Sequence, residues 1–377
     1  MRRAMRLTPT SGNPLARRDK HAGSLTNANT RDMGSASGSA MDSAWRFIGN
    51  PPKSCSSASS ATPEQFPLSL PRLVLESSLQ EGDNVSHELL LPDKGQSMIL
   101  QQQSDPMVAI RQTDHAFLAG FFAREYGNEF FKRPEPSASF CLAVAEHDNG
   151  WQEWELEPGV DQKSFTPYTF MTIPTSEHIR LYQKGIDRVV KVDLYAGLLV
   201  AAHCMGLYDR TRATIPGYSA KYVKSEDQQK VNDFVQRLRL QQLRLKVDLR
   251  NDPGTKSFAD EDSIKTNSQR LEALDRLSLF FCLGASEETT LDGVPLTDDG
   301  KEIDLFVRPA GHNQFTVDPY PFRRDPLDFA ILARRIPKRR YSDDADLQKV
   351  LTAAPFYNIC YTLRSRSAVG SAYAIGA

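Results

Sequence analysis

DLYAGLLVAAHCMGLY, residues 193–208, carries apolar side chains almost all the way round a helical wheel, which makes it a helix covered on every side. Such a helix sits at the centre of a bundle, and the segments flanking it supply the cover. Upstream, residues 113–127 read as a helix that opens on a Thr113 cap and stops at Gly127. A second runs from about Ser137 through Phe140, Leu142 and Val144 to the sequence EHDNGW, where Gly150 supplies the stop. A third begins at Thr175 or Ser176, directly after Pro174. Downstream, residues 225–250 form a long amphipathic helix with a solvated charged face. The next, SQRLEALDRLSLFFCLG at 268–284, turns Leu271, Leu274, Ser278 and Phe281 toward the core. The pattern then changes to short strands with Pro and Gly turns, at 303–307, 314–317, 329–333 and 357–363. Two further short strands, 98–102 and 107–112, precede the first helix around a turn at Ser104, Asp105 and Pro106. The expected fold is mainly α: a helical core over 98–284 with a small antiparallel β subdomain over 285–377 appended to it, α+β overall.

Several side chains in these apolar segments do not belong in a hydrocarbon core. His115 lies in the first turn of the first helix, His147 and Asp148 end the second, and His178 lies in the first turn of the third. His203 sits in the second half of the central helix, and Asp275 on or beside the core stripe of the last. An unpaired imidazole or carboxylate buried there costs on the order of several kcal/mol, so each needs a partner. Singly, each has an ordinary structural role open to it: a cap for the His-Asp dyad, a hydrogen-bonded core position for His203, a solvent-facing one for His178, an ion pair with Arg270 or Arg276 for Asp275. A shared pair of divalent cations would compensate them together, because neutral imidazole and ionised carboxylate are ligands for manganese, iron, zinc and magnesium. Successive helical residues diverge by about 100°, so His147 and Asp148 can reach one ion only where their helix ends, which is where they lie. His115, His147, Asp148 and Asp275 are therefore expected to converge on one point.

The chain ends differ in composition from this middle. The first 62 residues are rich in Ser, Ala, Gly, Asn and Arg, with no sustained apolar period and with nine basic residues against three acidic ones. Residues 1–95 are expected to be a disordered or low-complexity extension. A mitochondrial targeting peptide shares that basic bias; a polar extension without an address is the simpler reading. No apolar run approaches the eighteen or so residues of a membrane span, and a formal net charge of -1 gives no long-range attraction for nucleic acid or an anionic membrane. Five cysteines at irregular spacings read as reduced thiols of an intracellular, cytoplasmic protein. The stretch Trp151, Glu153, Trp154, Glu155 and Glu157 reads as a packed loop, and the basic run Arg334, Arg335, Lys338, Arg339 and Arg340 as a strand edge guarded by charge.

A His early in one helix, a His-Asp dyad ending the next, further His residues and a late helical Asp resemble the HD superfamily of metal-dependent phosphohydrolases, in particular its cyclic-nucleotide and HD-GYP phosphodiesterase branches. A closer similarity is to an uncharacterised family, the domain of unknown function numbered 3891. It is carried by QTDHAFLAGFFAREYG (112–127), AEHDNGWQEWE (145–155), DLYAGLLVAAH (193–203), LDRLSLFFC (274–282), DPYPF (318–322) and ARRIP (333–337), and spans roughly 98–363. The resemblance implies an HD-like helical core with one or two divalent ions. It implies hydrolysis of a phosphate ester or nucleotide-like, anionic small molecule by a metal-activated water. In that scheme Asp148 bridges the ions, His115, His147 and Asp275 complete one, and His178 with His203 the other, a single ion remaining if those two do not converge. Asp148, His178 and His203 carry the catalytic roles, a spare His protonating the leaving oxygen, and Glu146 or Asp114 orients a ligand imidazole. Two alternatives share the same ligands: a di-iron oxygenase on an HD-like scaffold, and a metal-binding module without turnover.

Overall fold

The computed structural model describes residues 97–208 and 223–366; the expectations for residues 1–95 and for a targeting peptide fall outside them. A hairpin of β1 (Ser97–Gln101) and β2 (Met107–Ile110) leads into α1 (Gln112–Glu125) and α2 (Ser137–Glu146). Two single-turn 3-10 helices, Asn149–Trp151 and Trp154–Leu156, precede β3 (Val160–Asp161) and β4 (Thr166–Thr169). Four helices follow: α3 (Thr175–Val192), α4 (Leu194–Tyr208), α5 (Gln228–Asn251) and α6 (Glu261–Cys282). The chain then runs through β5 (Thr289–Pro295), β6 (Glu302–Gly311), β7 (Gln314–Asp318), β8 (Leu327–Ile336), α7 (Asp344–Ala353) and β9 (Phe356–Ser365).

The sheet corrects the expectation of a mainly α chain with a small appended antiparallel subdomain. The strands form one nine-stranded sheet in the order β3-β4-β1-β2-β8-β9-β7-β6-β5. It is mixed, because β1 pairs parallel with β4 and β7 parallel with β9, while the other neighbours are antiparallel. The fold is α+β. Its reason lies in MVAI at β2, four consecutive buried residues, the mark of a strand covered on both faces. Such a strand cannot stand in an isolated hairpin, and it pairs with β8, Met107 opposite Ile336. Strands from before and after residue 284 thus share one sheet. The same pairing corrects the reading of the basic run: β8 is an interior strand with β2 and β9 on its two sides, and Arg334 and Arg335 lie over the rings of Phe356 and Tyr357 at 3.8 and 4.0 Å.

Alternation along the strands divides the interior in two. Ile99, Val108, Ile110, Phe329 and Ile331 face the helices, where Phe122 of α1 and Phe281 of α6 meet Phe329 edge-on at 5.0 and 4.9 Å between ring centres. Met98, Leu100, Met107, Ala109 and Ile336 face the opposite way and are covered by Leu347 and Leu351 of α7 with Tyr341. Within the helical layer α4 is central as its composition requires, in contact with α2, α3, α5 and α6. Among the described residues no helix is long and apolar enough to cross a membrane.

Two local details set the site. Thr113 is not the cap of α1: the helix begins at Gln112, and the Glu155 carboxylate accepts from the Gln112 and Thr113 amides and, at 2.6 Å, from the Thr113 hydroxyl. Gly150 does not simply stop α2, which has already ended at Glu146. It lies so close to α3 that a Cβ there would sit 2.0 Å from the Leu181 carbonyl oxygen, inside any van der Waals contact. The absence of a side chain lets the loop carrying His147 and Asp148 press against α3.

Candidate metal centre

Four helices bring the polar residues together. His115 and Asp275 face each other from α1 and α6, His147 and Asp148 come from the end of α2, and His203 from α4, all of them buried. The Nε2 of His115 lies 2.9 Å from Asp148 Oδ2 and 3.8 Å from Asp275 Oδ1. The Nε2 of His147 lies 3.4 Å from Asp275 Oδ1 and 3.7 Å from Asp148 Oδ2, and that of His203 lies 3.9 Å from Asp275 Oδ2. Arg270 and Arg276 are turned elsewhere, to Asp298 and Asp292, so neither neutralises Asp275.

The hydrogen bonds behind the imidazoles fix which nitrogen carries the proton. Ser278 donates its only hydroxyl hydrogen to the Asp275 carbonyl at 2.8 Å, so toward His115 Nδ1, 2.9 Å away, it can only accept. His115 is therefore protonated at Nδ1. His147 Nδ1 donates to the Val144 carbonyl at 2.8 Å, which again leaves the proton on Nδ1. With the proton on Nδ1 alone, each ring would point a bare Nε2 lone pair at carboxylate oxygens. Lone pair against anion is repulsive, and His147 Nε2 has no hydrogen-bond partner, nor has His203 Nδ1. The arrangement requires a cation among these atoms, either a metal ion or a second proton on an imidazole.

Charge perturbations express the same demand. Burial works against a charged His147, but Asp148 and Asp275 outweigh it and raise its pKa to about 9. Burial also opposes ionisation of Asp148 and Asp275, yet the surrounding imidazoles hold both below the ordinary carboxylate range. His203, more weakly opposed, is pushed down by burial to about 4. The atoms fall into two overlapping groups that could hold a metal ion, His115 with His147 and Asp148, and His147 with His203 and Asp275, each within 4.8 Å.

His178 lines the same cavity without joining either group. Its Nδ1 meets the Tyr208 hydroxyl, its ring lies 4.6 Å from that of Tyr182, and burial lowers its pKa to about 3. Tyr182 donates to Asp148 Oδ1 at 2.9 Å, so the two oxygens of Asp148 have separate tasks: one is anchored and one faces the imidazoles. The sequence pointed to Glu146 or Asp114 as the group orienting an imidazole. Asp114 is instead held by Arg111 at 2.7 Å, and the orienting groups are Ser278 and the Val144 carbonyl. Ser278 was visible as a core-facing position, but nothing in the pattern told its hydroxyl from a tolerated small core residue; Tyr182 carried no signal either. Gln112, Phe170, Leu207 and Leu279 complete the walls, and the cavity is small, ≈ 30 Å³.

The family described as a protein of unknown function (DUF3891) matches residues 98–338. The chain belongs to this family. Its span opens at β1, takes in every residue of the cluster, and closes just after β8, so the family unit contains both strands that knit the sheet together. No curated protein and no solved structure matches the chain.

Proposed function

We propose that the cluster holds a divalent metal ion and that the chain is a metal-dependent hydrolase of a phosphate ester or nucleotide-like anion, its order of His and Asp ligands resembling that of the HD superfamily. The observation that carries this reading is the pair of imidazoles, His115 and His147, whose protons are fixed on Nδ1 and whose Nε2 lone pairs converge on two carboxylates. His115, His147, Asp148 and Asp275 would hold the ion, with His203 beside Asp275. One ion fits better than two. The two candidate groups share His147, and a single lone pair on His147 serves one ion. The imidazole-rich donor set suits manganese, iron or zinc better than magnesium, which favours oxygen ligands and keeps much of its water.

When bound, such an ion supplies a water whose pKa falls from about 16 toward about 7 and a Lewis-acidic contact for a phosphoryl oxygen. The chain supplies the rest. Ser278 and the Val144 carbonyl keep the imidazoles in the ligating tautomer, and Tyr182 holds the plane of Asp148. Phe170, Leu207 and Leu279 give the cavity its apolar wall. His178, kept neutral by burial and bonded to Tyr208, would orient a water and not arrive as a ready-charged acid.

The test is elemental analysis of protein purified without chelator, followed by assays on p-nitrophenyl phosphate and bis-p-nitrophenyl phosphate with added manganese or zinc. About one metal per chain and hydrolysis lost in Asp148→Ala are expected. Metal-free protein that does not take up manganese or zinc would sink the reading. A metal-loaded chain inert toward both esters would remove the hydrolase and leave a metal-binding module, and two redox-active irons per chain would favour an oxygenase.

A further inference from the structure

A second cavity lies on the other face of the sheet, bounded by β8, α7, the start of β9 and the loop after the His-Asp dyad. It encloses ≈ 280 Å³, the scale of a small organic molecule, and its walls include Met98, Ala109, Leu332, Leu351 and Phe356. Two guanidiniums enter it. Arg111 is neutralised, since Asp114 grips it at 2.7 and 2.8 Å. Arg334 is not: among the described residues no carboxylate pairs with it. One of its nitrogens donates to the Leu351 carbonyl at 2.8 Å, its plane lies over Phe356, and its Nε is buried without a hydrogen-bond partner.

The remaining polar wall points the same way. Gln348 spends its amide nitrogen on the Leu156 carbonyl at 3.1 Å, which leaves its Oε1 buried and unpartnered. Glu155, the one carboxylate lining the cavity, is spent on the first amides of α1, and burial pushes its pKa up to about 8. A half-buried cation without an ion-pair partner among the described residues, an orphaned N–H and an orphaned acceptor in an apolar cavity form a complementary set. We propose that this cavity is a binding site, separate from the metal centre, for a small organic anion with an apolar or aromatic body. The anionic group would lie on Arg334, the body against Phe356 and Leu351, and a hydrogen-bond donor of the ligand would meet Gln348.

Two probes separate charge from greasiness. 8-Anilinonaphthalene-1-sulfonate and N-phenyl-1-naphthylamine share a ring system and differ by the sulfonate. Titrated calorimetrically and by fluorescence into the full chain, the sulfonate should bind at one site, about tenfold or more tighter than the neutral compound. Arg334→Met, which keeps an apolar stem, should abolish that preference, and Thr352→Trp, which places a large ring on an exposed residue of the cavity rim, should block both probes. Equal binding of the two probes to the wild-type chain overturns the proposal, as does sulfonate binding unaffected by Arg334→Met. If Arg334→Met does not fold, undiminished binding to Thr352→Trp is enough to overturn it.

Discussion

The two faces of the sheet pose opposite electrostatic problems. On the helical face, lone pairs and carboxylates from four helices crowd a small cavity, and among the described residues that line it the only source of positive charge is a proton on an imidazole. On the face under α7, a guanidinium sits among apolar walls, and no carboxylate of the described residues forms an ion pair with it. A third place shows what balance looks like here: Glu125, buried at the end of α1, is met by Arg323 at 3.0 Å and Arg324 at 2.8 Å. Where this fold uses buried charge only for structure, it supplies both signs. Where one sign is missing, a ligand is the natural source of the other.

The largest effect that would break this contrast is at the metal centre. Chelator-treated protein should gain about 4 kcal/mol in thermal or denaturant unfolding when manganese or zinc is raised to a thousand times its dissociation constant, and Asp148→Ala should gain nothing. If chelated and metal-treated protein melt alike, and Asp148→Ala instead costs about 3 to 5 kcal/mol, the cluster is a closed imidazolium–carboxylate network and both faces are self-sufficient. Next comes Gly150→Ala, whose Cβ would meet the Leu181 carbonyl oxygen. It should destabilise by about 1 to 3 kcal/mol and displace the His-Asp dyad, seen as a lower melting temperature together with weaker metal binding. An unchanged melting temperature would show that the loop is not pinned to α3.

Ser278→Ala leaves every ligand in place and removes only the group that fixes the His115 proton. Metal affinity in a competition titration should fall roughly 10- to 100-fold. Unchanged affinity would detach the tautomer from metal binding. The smallest effect belongs to the balanced site. Burial would raise the pKa of Glu125, but Arg323 and Arg324 outweigh it and hold it below its ordinary 4.5. A carboxyl group with a lowered folded-state pKa contributes its stability in full above the unfolded value and loses it as pH falls through the folded one. Glu125→Gln should therefore cost about 1 kcal/mol at pH 7 and progressively less below pH 4.5. A cost that persists at pH 3 would mean that packing, not charge, is what Glu125 supplies.

Helices and ligand candidates were legible because both rest on local rules. Apolar periodicity placed α1 to α6, and the burial cost of an imidazole or carboxylate in segments such as AAHCM or EALDRL singled out residues that the fold does bring together. Pairing across the sheet was not legible. Nothing local to MVAI names ARRI as its partner, and the arginines in that strand read as a charged edge because their cover, Phe356 and Tyr357, is supplied by the last strand. Glu155 capping α1 and Ser278 orienting His115 are contacts of the same kind, made across 42 and 163 residues. Distance along the chain, not weakness of the interaction, hid them.

The pairing of β2 with β8 also orders events in time. As the chain leaves the ribosome, β2 appears early with apolar side chains on both faces and an open row of amides and carbonyls, and β8 appears only after all six helices have followed. The helical layer can gather on local contacts, but the surface it must close against is incomplete until nearly the last described residue has been made. Until then β2 is a sticky edge. Long-range pairing is the kind that slows folding, and the β1–β2 hairpin is the part that waits longest for its partner.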